Sequence, residues 1–560
     1  MRLTTVRDWL AAATALVAAV GGSAMLGAQE RGGMPPAPPA PPVHYTALPE
    51  RAAVAPVIDC TSLRGRGLPD LTEAPTRVTS AEVEPARAGR AEFCLLKGYV
   101  APTIQFELRL PTHGYTGRYL QGGCGGNCGR VPSGFSPRCD DKPAFAGGFA
   151  VGFEDSGHTG GDGIWALGGE QVRVDFSYRA AHAFSIAAKA LIAAYYGRPP
   201  AYSYFQGCSD GGREAMAEAQ RYPTDFNGIV AGSPAIIITE AMERFLWEAR
   251  WGHDDAGKPV FDQSALTTLH AAVMNACDPL DGVKDGQIDE PRACHFDPGT
   301  LACRGGASAD CLTPLQVDAA RRFYGGPVDG QGRHLYPGGE PYGAELTWTG
   351  RGSLTEAGAT MLDENVRTMM FLGKLPKNVT LRTWKWDVPT LRALQRNGAL
   401  YNTDDPDLRP LQRAGGKLMI WYGAADPAAG VDGMPDYYAR VQDRVGGLAA
   451  TRRFARMYPV PGVYHCGSGY VAYQLDLLGA IVNWVEAGVA PDSVEAVALL
   501  DGGKVRRRPV FAYPTRATYV GHGDTDDAAS FVGRAPAAPR DDHYDWAGSA
   551  PARRPAARGS

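Results

Sequence analysis

The chain has 560 residues, with 56 Lys and Arg against 60 Asp and Glu, so its formal charge of −4 excludes the strongly basic surface of a nucleic-acid-binding protein. Its 44% hydrophobic and 21% charged residues exclude disorder over most of the length. Eleven cysteines are too many for a typical reduced cytosolic protein, and because the number is odd, at least one has no partner within the chain.

The N-terminus has the pattern of an export signal. Arg2 and Arg7 precede the uncharged, Ala- and Leu-rich run from Leu10 to Leu26, which predicts a signal peptide over residues 1–28. An uncleaved anchor is the alternative, since 17 residues are at the lower limit for spanning a bilayer. We therefore expect a secreted or periplasmic protein with no membrane attachment after cleavage. A Pro-rich spacer follows over 29–44.

Short apolar runs alternate with helical patterns along the rest of the chain, which predicts an α/β fold with a mostly parallel sheet. This alternation of strand and helix patterns runs over 45–233 and again over 404–533. Residues 234–403 break it with many glycines and four cysteines, and are predicted to be an insertion into the α/β core. Residues 534–560, rich in Ala, Pro and Arg, predict a solvated tail.

The segment Gly207–Gly211 matches G-x-S-x-G around Ser209. A strand-like aromatic run precedes it and a helix-forming run follows, which is the arrangement that lifts a serine hydroxyl above a sheet. The alternative is an ordinary Gly-rich turn. The context favours Ser209 as a nucleophile.

A serine nucleophile needs a histidine base and a carboxylate that orients the base. In folds with this elbow, the acid and then the histidine follow the serine along the chain. His465 lies in a Gly-rich loop after a strand-like run, and Asp426 follows the predicted strand that begins at Lys417. Asp432 and Asp436 compete with Asp426 on sequence grounds.

Two cysteines adjoin these candidates. Cys208 immediately precedes Ser209, and Cys466 immediately follows His465. If serine and histidine meet, a Cys208–Cys466 disulfide is geometrically reasonable. The alternative is two unrelated cysteines.

Together, Cys-Ser in the elbow, Asp before Pro and His-Cys in a Gly-rich loop resemble the tannase and feruloyl esterase family, which includes mono(2-hydroxyethyl) terephthalate hydrolases. The resemblance runs from about Cys60 to Gly533. It implies an α/β-hydrolase fold with a large lid, here 234–403, and a Ser-His-Asp triad of Ser209, His465 and Asp426. It also implies that the backbone amides of Asp210 and Gly123 form the oxyanion hole.

An acidic loop lies within the predicted lid. Its carboxylates between Asp278 and Asp289 are three or four residues apart, which suits the many oxygen ligands of Ca²⁺. The alternative is a solvated acidic loop. The resemblance implies a structural Ca²⁺ held by the side chains of Asp278, Asp281 and Asp285 and by the carbonyls of Val283 and Gln287. No organic cofactor is expected.

The remaining cysteines are assigned mostly by resemblance. Cys277 and Cys294 bracket the acidic loop and would staple it, while the resemblance pairs Cys303 with Cys311 and Cys60 with Cys94. The pairing of Cys124, Cys128 and Cys139 stays open.

The resemblance implies a secreted serine esterase whose small-molecule substrates are esters of aromatic acids such as gallate, ferulate or a terephthalate monoester. A serine peptidase, a lipase or a general carboxylesterase could use the same three residues. From a different class, the chain could be a calcium-stabilised binding protein on a hydrolase scaffold, without catalysis.

Overall fold

The computed structural model describes residues 42–87, 89–132, 134, 144–306, 310–348, 354–428, 430–538 and 540–549. The predicted signal peptide, most of the Pro-rich spacer and Cys139 lie outside this set. Within it, every helix is too short or too polar to cross a bilayer.

Fifteen strands are present in the described part of the chain. In chain order they are β1 (Gly67–Leu68), β2 (Thr76–Glu84), β3 (Phe93–Val100), β4 (Ile104–Pro111), β5 (Arg118–Gly122), β6 (Phe149–Glu154), β7 (Tyr202–Cys208), β8 (Gly228–Gly232), β9 (Lys417–Gly423), β10 (Ala455–Val460), β11 (Gln474–Leu475), β12 (Ser493–Leu499), β13 (Val505–Phe511), β14 (Arg516–Tyr519) and β15 (Phe531–Arg534). Ten of them form one sheet in the order β1-β2-β3-β4-β6-β5-β7-β8-β9-β10.

The α-helices of the described residues are α1 (Glu170–Val174), α2 (Ala180–Tyr196), α3 (Asp210–Arg221), α4 (Ile238–Trp251), α5 (Gln263–Cys277), α6 (Pro314–Gly325), α7 (Leu354–Gly358), α8 (Val388–Gly398), α9 (Arg409–Arg413), α10 (Gly433–Val445), α11 (Leu448–Thr451) and α12 (Leu477–Ala487). A π-helical segment, Ala359–Met370, follows α7 directly.

The large sheet is parallel from β6 to β10 and antiparallel from β1 through β4 to β6. Successive strand residues point to opposite faces, and the buried residues divide accordingly. Phe205 and Ile229 join the cluster that contains α2, whereas their neighbours Tyr204 and Val230 join the cluster that contains α12. Helices thus cover both faces, as a buried parallel sheet requires, and the carboxyl ends of β5 to β10 share one edge.

Between β8 and β9 the described residues form helices and loops and add no strand to a sheet. This segment has two apolar clusters. One joins Leu246 and Leu394 to Trp165 of the core, and the other packs α5 against α6 through Leu269 and Phe323. The architecture is that of an α/β-hydrolase with a large insertion, as the resemblance implies.

The end of the described chain differs from the solvated tail predicted over 534–560. Trp546 is buried with 4% exposure, and the Ala547 amide donates to the His334 carbonyl. Asp542 accepts hydrogen bonds from Tyr513 and from Arg292 of the insertion. Residues 540–549 therefore pack on the folded protein, because a single tryptophan and a buried carboxylate anchor an otherwise polar segment.

Candidate active site

Ser209 lies on a sharp turn between β7 and α3. Its backbone has φ 65° and ψ −121°, outside the regions that non-glycine residues normally adopt. The surrounding glycines permit this turn, because a Cβ at Gly207 would collide with the Gly211 carbonyl and one at Gly212 with the Gly232 carbonyl. The sequence thus folds into a strained elbow that holds Ser209 at the carboxyl edge of the sheet.

Asp426 and His465 follow β9 and β10, the second and third strands beyond β7 in the sheet. Asp426 is three residues after β9, and His465 begins a short 3₁₀ turn after β10. His465 Nε2 lies 2.7 Å from Ser209 Oγ, and His465 Nδ1 lies 2.9 Å from Asp426 Oδ2. The three side chains predicted from the sequence therefore meet in one hydrogen-bonded chain, whereas Asp436 pairs with Arg440 in α10.

The electrostatics of this chain favour a charged imidazolium–carboxylate pair. Burial disfavours the Asp426 carboxylate, but the charge and hydrogen bond of His465 outweigh burial and lower the pKa of Asp426. Burial likewise disfavours a protonated His465, but Asp426 raises its pKa above the usual value. The Ala428 amide also donates to Asp426 Oδ1 at 2.8 Å. Such an arrangement can take a proton from Ser209 and stabilise the resulting imidazolium.

A disulfide joins Cys208 to Cys466, with the two Cα atoms 6.0 Å apart and 258 positions apart in sequence. Each cysteine is the direct neighbour of Ser209 or His465. The bond therefore fixes the elbow to the histidine loop covalently, in the way that the sequence suggested.

The two amides expected to bind an oxyanion differ in their availability. Asp210 is the first residue of α3, where a backbone amide has no acceptor within the helix, and its carboxylate pairs with Arg213. The Gly123 amide instead donates to the Gln206 carbonyl at 3.0 Å. Gly123 therefore does not supply the free donor that the resemblance implies, because sheet bonding continues one residue beyond β5.

The loop after Gly123 is closed by a disulfide between Cys124 and Cys128, a pairing that the sequence left open. Three further disulfides join Cys60 to Cys94, Cys277 to Cys294 and Cys303 to Cys311.

Two carboxylates of the acidic loop accept hydrogen bonds from the backbone amides of the same loop. Asp278 accepts the amides of Gly286 at 2.9 Å and Asp285 at 3.2 Å, and Asp281 accepts the Val283 amide at 3.0 Å. The Gln287 side chain bridges Asp289 and Tyr473.

The same loop nevertheless brings four carboxylates close together. Burial and the carboxylates of Asp289, Asp285 and Asp278 raise the pKa of Asp281 to about 7. One buried oxygen of Asp285 has no partner among the described residues, although Arg508 pairs with the other. These oxygens fit a hard cation chemically, although Asp278, Asp281 and Asp285 do not converge as three ligand atoms within 4.8 Å of one another.

The described residues contain one group that does converge within 4.8 Å, namely His182, Glu218 and Asp225. Both ring nitrogens of His182 face carboxylates, with Nδ1 2.5 Å from Asp225 and Nε2 2.9 Å from Glu73. Although burial opposes protonation, these carboxylates raise the pKa of His182. His182 therefore forms an ion-pair network with Asp225 and Glu73 in this structure.

Two residues beside the site carry no recognisable signal in the sequence. Arg244 of α4 is fully buried and donates to the Pro427 carbonyl, next to Asp426, and to Glu340 at 2.6 Å. Glu214 of α3 accepts the Cys124 amide at 2.9 Å. These three contacts join parts of the chain at least 90 positions apart, so only the folded structure reveals them.

Comparison with known proteins shows which family this chain belongs to. The sequence model for tannase and feruloyl esterase matches residues 92–533. The mono(2-hydroxyethyl) terephthalate hydrolase of Piscinibacter sakaiensis is 32% identical over 530 residues, which cover 81% of this chain and 87% of that protein. A probable feruloyl esterase B-1 of Aspergillus oryzae is 32% identical over 455 residues, covering 76% and 80%.

A solved structure gives the same result. The crystal structure of feruloyl esterase B from Aspergillus oryzae superposes with a TM-score of 0.73 at 27% identity, covering 83% of this chain and 97% of that one. The chain therefore belongs to the tannase and feruloyl esterase family, and it is a carboxylic ester hydrolase.

Proposed function

We propose that the protein is an exported serine esterase that hydrolyses esters of aromatic carboxylic acids. The observation that supports this most is the position of His465, within hydrogen-bond distance of both Ser209 Oγ and Asp426. The aromatic acyl group is inferred from relatives named as feruloyl esterases and as a terephthalate monoester hydrolase.

The first half-reaction forms an acyl-enzyme. Ser209 Oγ attacks the ester carbonyl carbon while His465 Nε2 accepts the hydroxyl proton, and Asp426 stabilises the imidazolium. The Asp210 amide donates to the tetrahedral oxyanion, a contribution of roughly 3 kcal/mol for such a donor. Collapse expels the alcohol, which takes the proton from His465.

The second half-reaction releases the acid. His465 removes a proton from water, the resulting hydroxide attacks the acyl carbonyl, and Ser209 leaves with the proton returned by His465.

We further propose that residues 234–403 form the lid and that its acidic loop holds a structural Ca²⁺ through Asp278, Asp281 and Asp285, with the carbonyls of Val283 and Gln287. The clustered carboxylates of that loop and the unpaired oxygen of Asp285 support this assignment. Export is supported by the five disulfides of the described residues.

A hydrolysis panel tests the substrate class. Methyl ferulate, methyl gallate and mono(2-hydroxyethyl) terephthalate are compared with p-nitrophenyl acetate, in wild type and in Ser209→Ala. We expect kcat/KM for at least one aromatic acid ester to depend on Ser209. Turnover of p-nitrophenyl acetate alone would contradict the aromatic-acid assignment.

A further inference from the structure

Glu214 is a buried acid that takes no part in the Ser209–His465–Asp426 chain. It lies on α3, five residues after Ser209, with 3% exposure. Its Oε2 accepts the Cys124 amide at 2.9 Å, and its Oε1 accepts the Ser156 hydroxyl at 2.9 Å. Burial of a carboxyl group is unfavourable without such partners, so these two contacts fix where the side chain lies.

The partners of Glu214 come from separate strand ends. Cys124 belongs to the loop after β5, Ser156 to the loop after β6, and Glu214 itself to the helix that follows the elbow after β7. One carboxyl group therefore joins three adjacent loops at the carboxyl edge of the sheet. Their strands, β6, β5 and β7, are adjacent in the sheet, and Ser209 follows the last of them.

The loop after β5 rests directly on the first turn of α3. A Cβ at Gly123 would lie 2.7 Å from Gly211 Cα and 2.8 Å from Glu214 Oε2. Two residues on, a Cβ at Gly125 would lie 4.0 Å from the carbonyl of Cys208, the neighbour of Ser209. The Gly123 and Cys124 amides both have acceptors. Among the described residues, the Gly125 amide has none, which leaves it available to a ligand.

The next acid on the same helix provides a contrast. Glu218 has 0% exposure, and neither of its carboxyl oxygens has a hydrogen-bond partner among the described residues. A buried acid on α3 thus does not require contacts with the strand-end loops. Glu214 therefore differs from Glu218 in that its carboxyl group accepts a hydrogen bond from the Cys124 amide.

We propose that Glu214 is a positioning residue, which holds the Gly123–Cys128 loop against α3 so that the Gly125 amide can donate to the oxyanion formed on Ser209. This inference rests on the proposed function, because it assigns Glu214 a part in the same acyl transfer. Glu214 acts through the loop and does not touch the reacting atoms.

The choice of variants follows from the charge around Glu214. Burial raises its pKa, and the nearby Asp210 raises it further, so the neutral amide of Glu214→Gln is a close mimic that can still accept the Cys124 amide. Glu214→Asp keeps the acid but is one methylene shorter. Glu214→Leu removes both contacts, and Glu218→Leu is the matched control on the same helix.

The test measures kcat and KM separately on a hydrolysed ester. We expect Glu214→Leu and Glu214→Asp to lower kcat by about 10- to 100-fold, with KM within about twofold, because misplacing a transition-state donor affects chemistry more than ground-state binding. We expect Glu214→Gln and Glu218→Leu to retain kcat within about threefold, since both preserve the loop contact. If Glu214→Leu does not fold, Glu214→Asp tests the positioning role of Glu214 by itself.

Two results would overturn the inference. One is a folded Glu214→Asp with wild-type kcat, and the other is an equal loss of kcat in Glu218→Leu. Failure of the proposed function is distinguishable from either, because wild type itself would then show no Ser209-dependent hydrolysis.

Discussion

Ser209 and Asp426 favour opposite protonation states of the His465 ring that lies between them. Its Nε2 must be unprotonated to accept the Ser209 proton, while Asp426 at Nδ1 favours the protonated ring. Because the general base acts only when neutral, kcat/KM should rise with pH through the His465 pKa. The carboxylate places that rise above about pH 6.5, the usual histidine value.

Asp426→Asn tests this arrangement at the residue scale. Loss of the carboxylate removes the interaction that raises the His465 pKa, so the acidic limb of the kcat/KM profile should move to lower pH. By analogy with other triads, kcat should fall by about 10⁴-fold, since the asparagine amide no longer holds the imidazole in the tautomer that accepts the Ser209 proton. The measurement is a pH profile of ester hydrolysis, with Asp432→Asn as control. An unmoved limb with near-wild-type kcat would contradict the role of Asp426.

The elements of the site are held by two disulfides of very different span. Cys208–Cys466 closes a loop with a sequence separation of 258, whereas Cys124–Cys128 closes one with a separation of 4. In the loop-entropy description, the first bond stabilises the fold by about 5.6 kcal/mol and the second by about 2 kcal/mol. The short bond therefore shapes a loop more than it stabilises the molecule.

Paired Cys→Ala variants test this difference at the element scale. Cys208→Ala/Cys466→Ala should lower the thermal unfolding midpoint clearly more than Cys124→Ala/Cys128→Ala, because its open chain gains more entropy. It should also reduce kcat, since the histidine loop loses its tether to the elbow. Differential scanning calorimetry gives the comparison. A larger drop for the Cys124/Cys128 pair would contradict it.

The acidic loop of the insertion gives a second prediction at this scale. If Ca²⁺ balances Asp278, Asp281 and Asp285, EDTA should lower the unfolding midpoint and added Ca²⁺ should restore it, because a ligand that binds the native state stabilises it. Asp281→Asn should reduce the EDTA effect. An unchanged midpoint in EDTA, with no metal found by elemental analysis, would argue against the site.

At the scale of the whole molecule, the sequence predicted what depends on local pattern and chain order. The alternation of strands and helices predicted the α/β fold, and the comparisons confirm it. The elbow glycines located Ser209, and chain order narrowed the search to Asp426 and His465. The structure brings these three together, while their catalytic roles remain predictions.

What the sequence did not predict depends on contacts between distant segments. Gly123 was expected to offer a free amide, but its bond to Gln206 is decided by how far sheet pairing extends. The contacts of Glu214 and Arg244 join loops that only the fold brings near one another. Trp546 lies in a segment whose composition predicts a solvated tail, because composition does not register one well-packed side chain.

We propose that Ser209 is the nucleophile of this ester hydrolase. A fluorophosphonate reacts with a serine only when a neighbouring base activates the hydroxyl, so the most direct measurement is the stoichiometry and site of labelling by mass spectrometry. We expect about one label per chain, on Ser209, retained in Ser203→Ala and lost in Ser209→Ala. A folded wild-type protein that stays unlabelled, or carries the label on another serine, would contradict it.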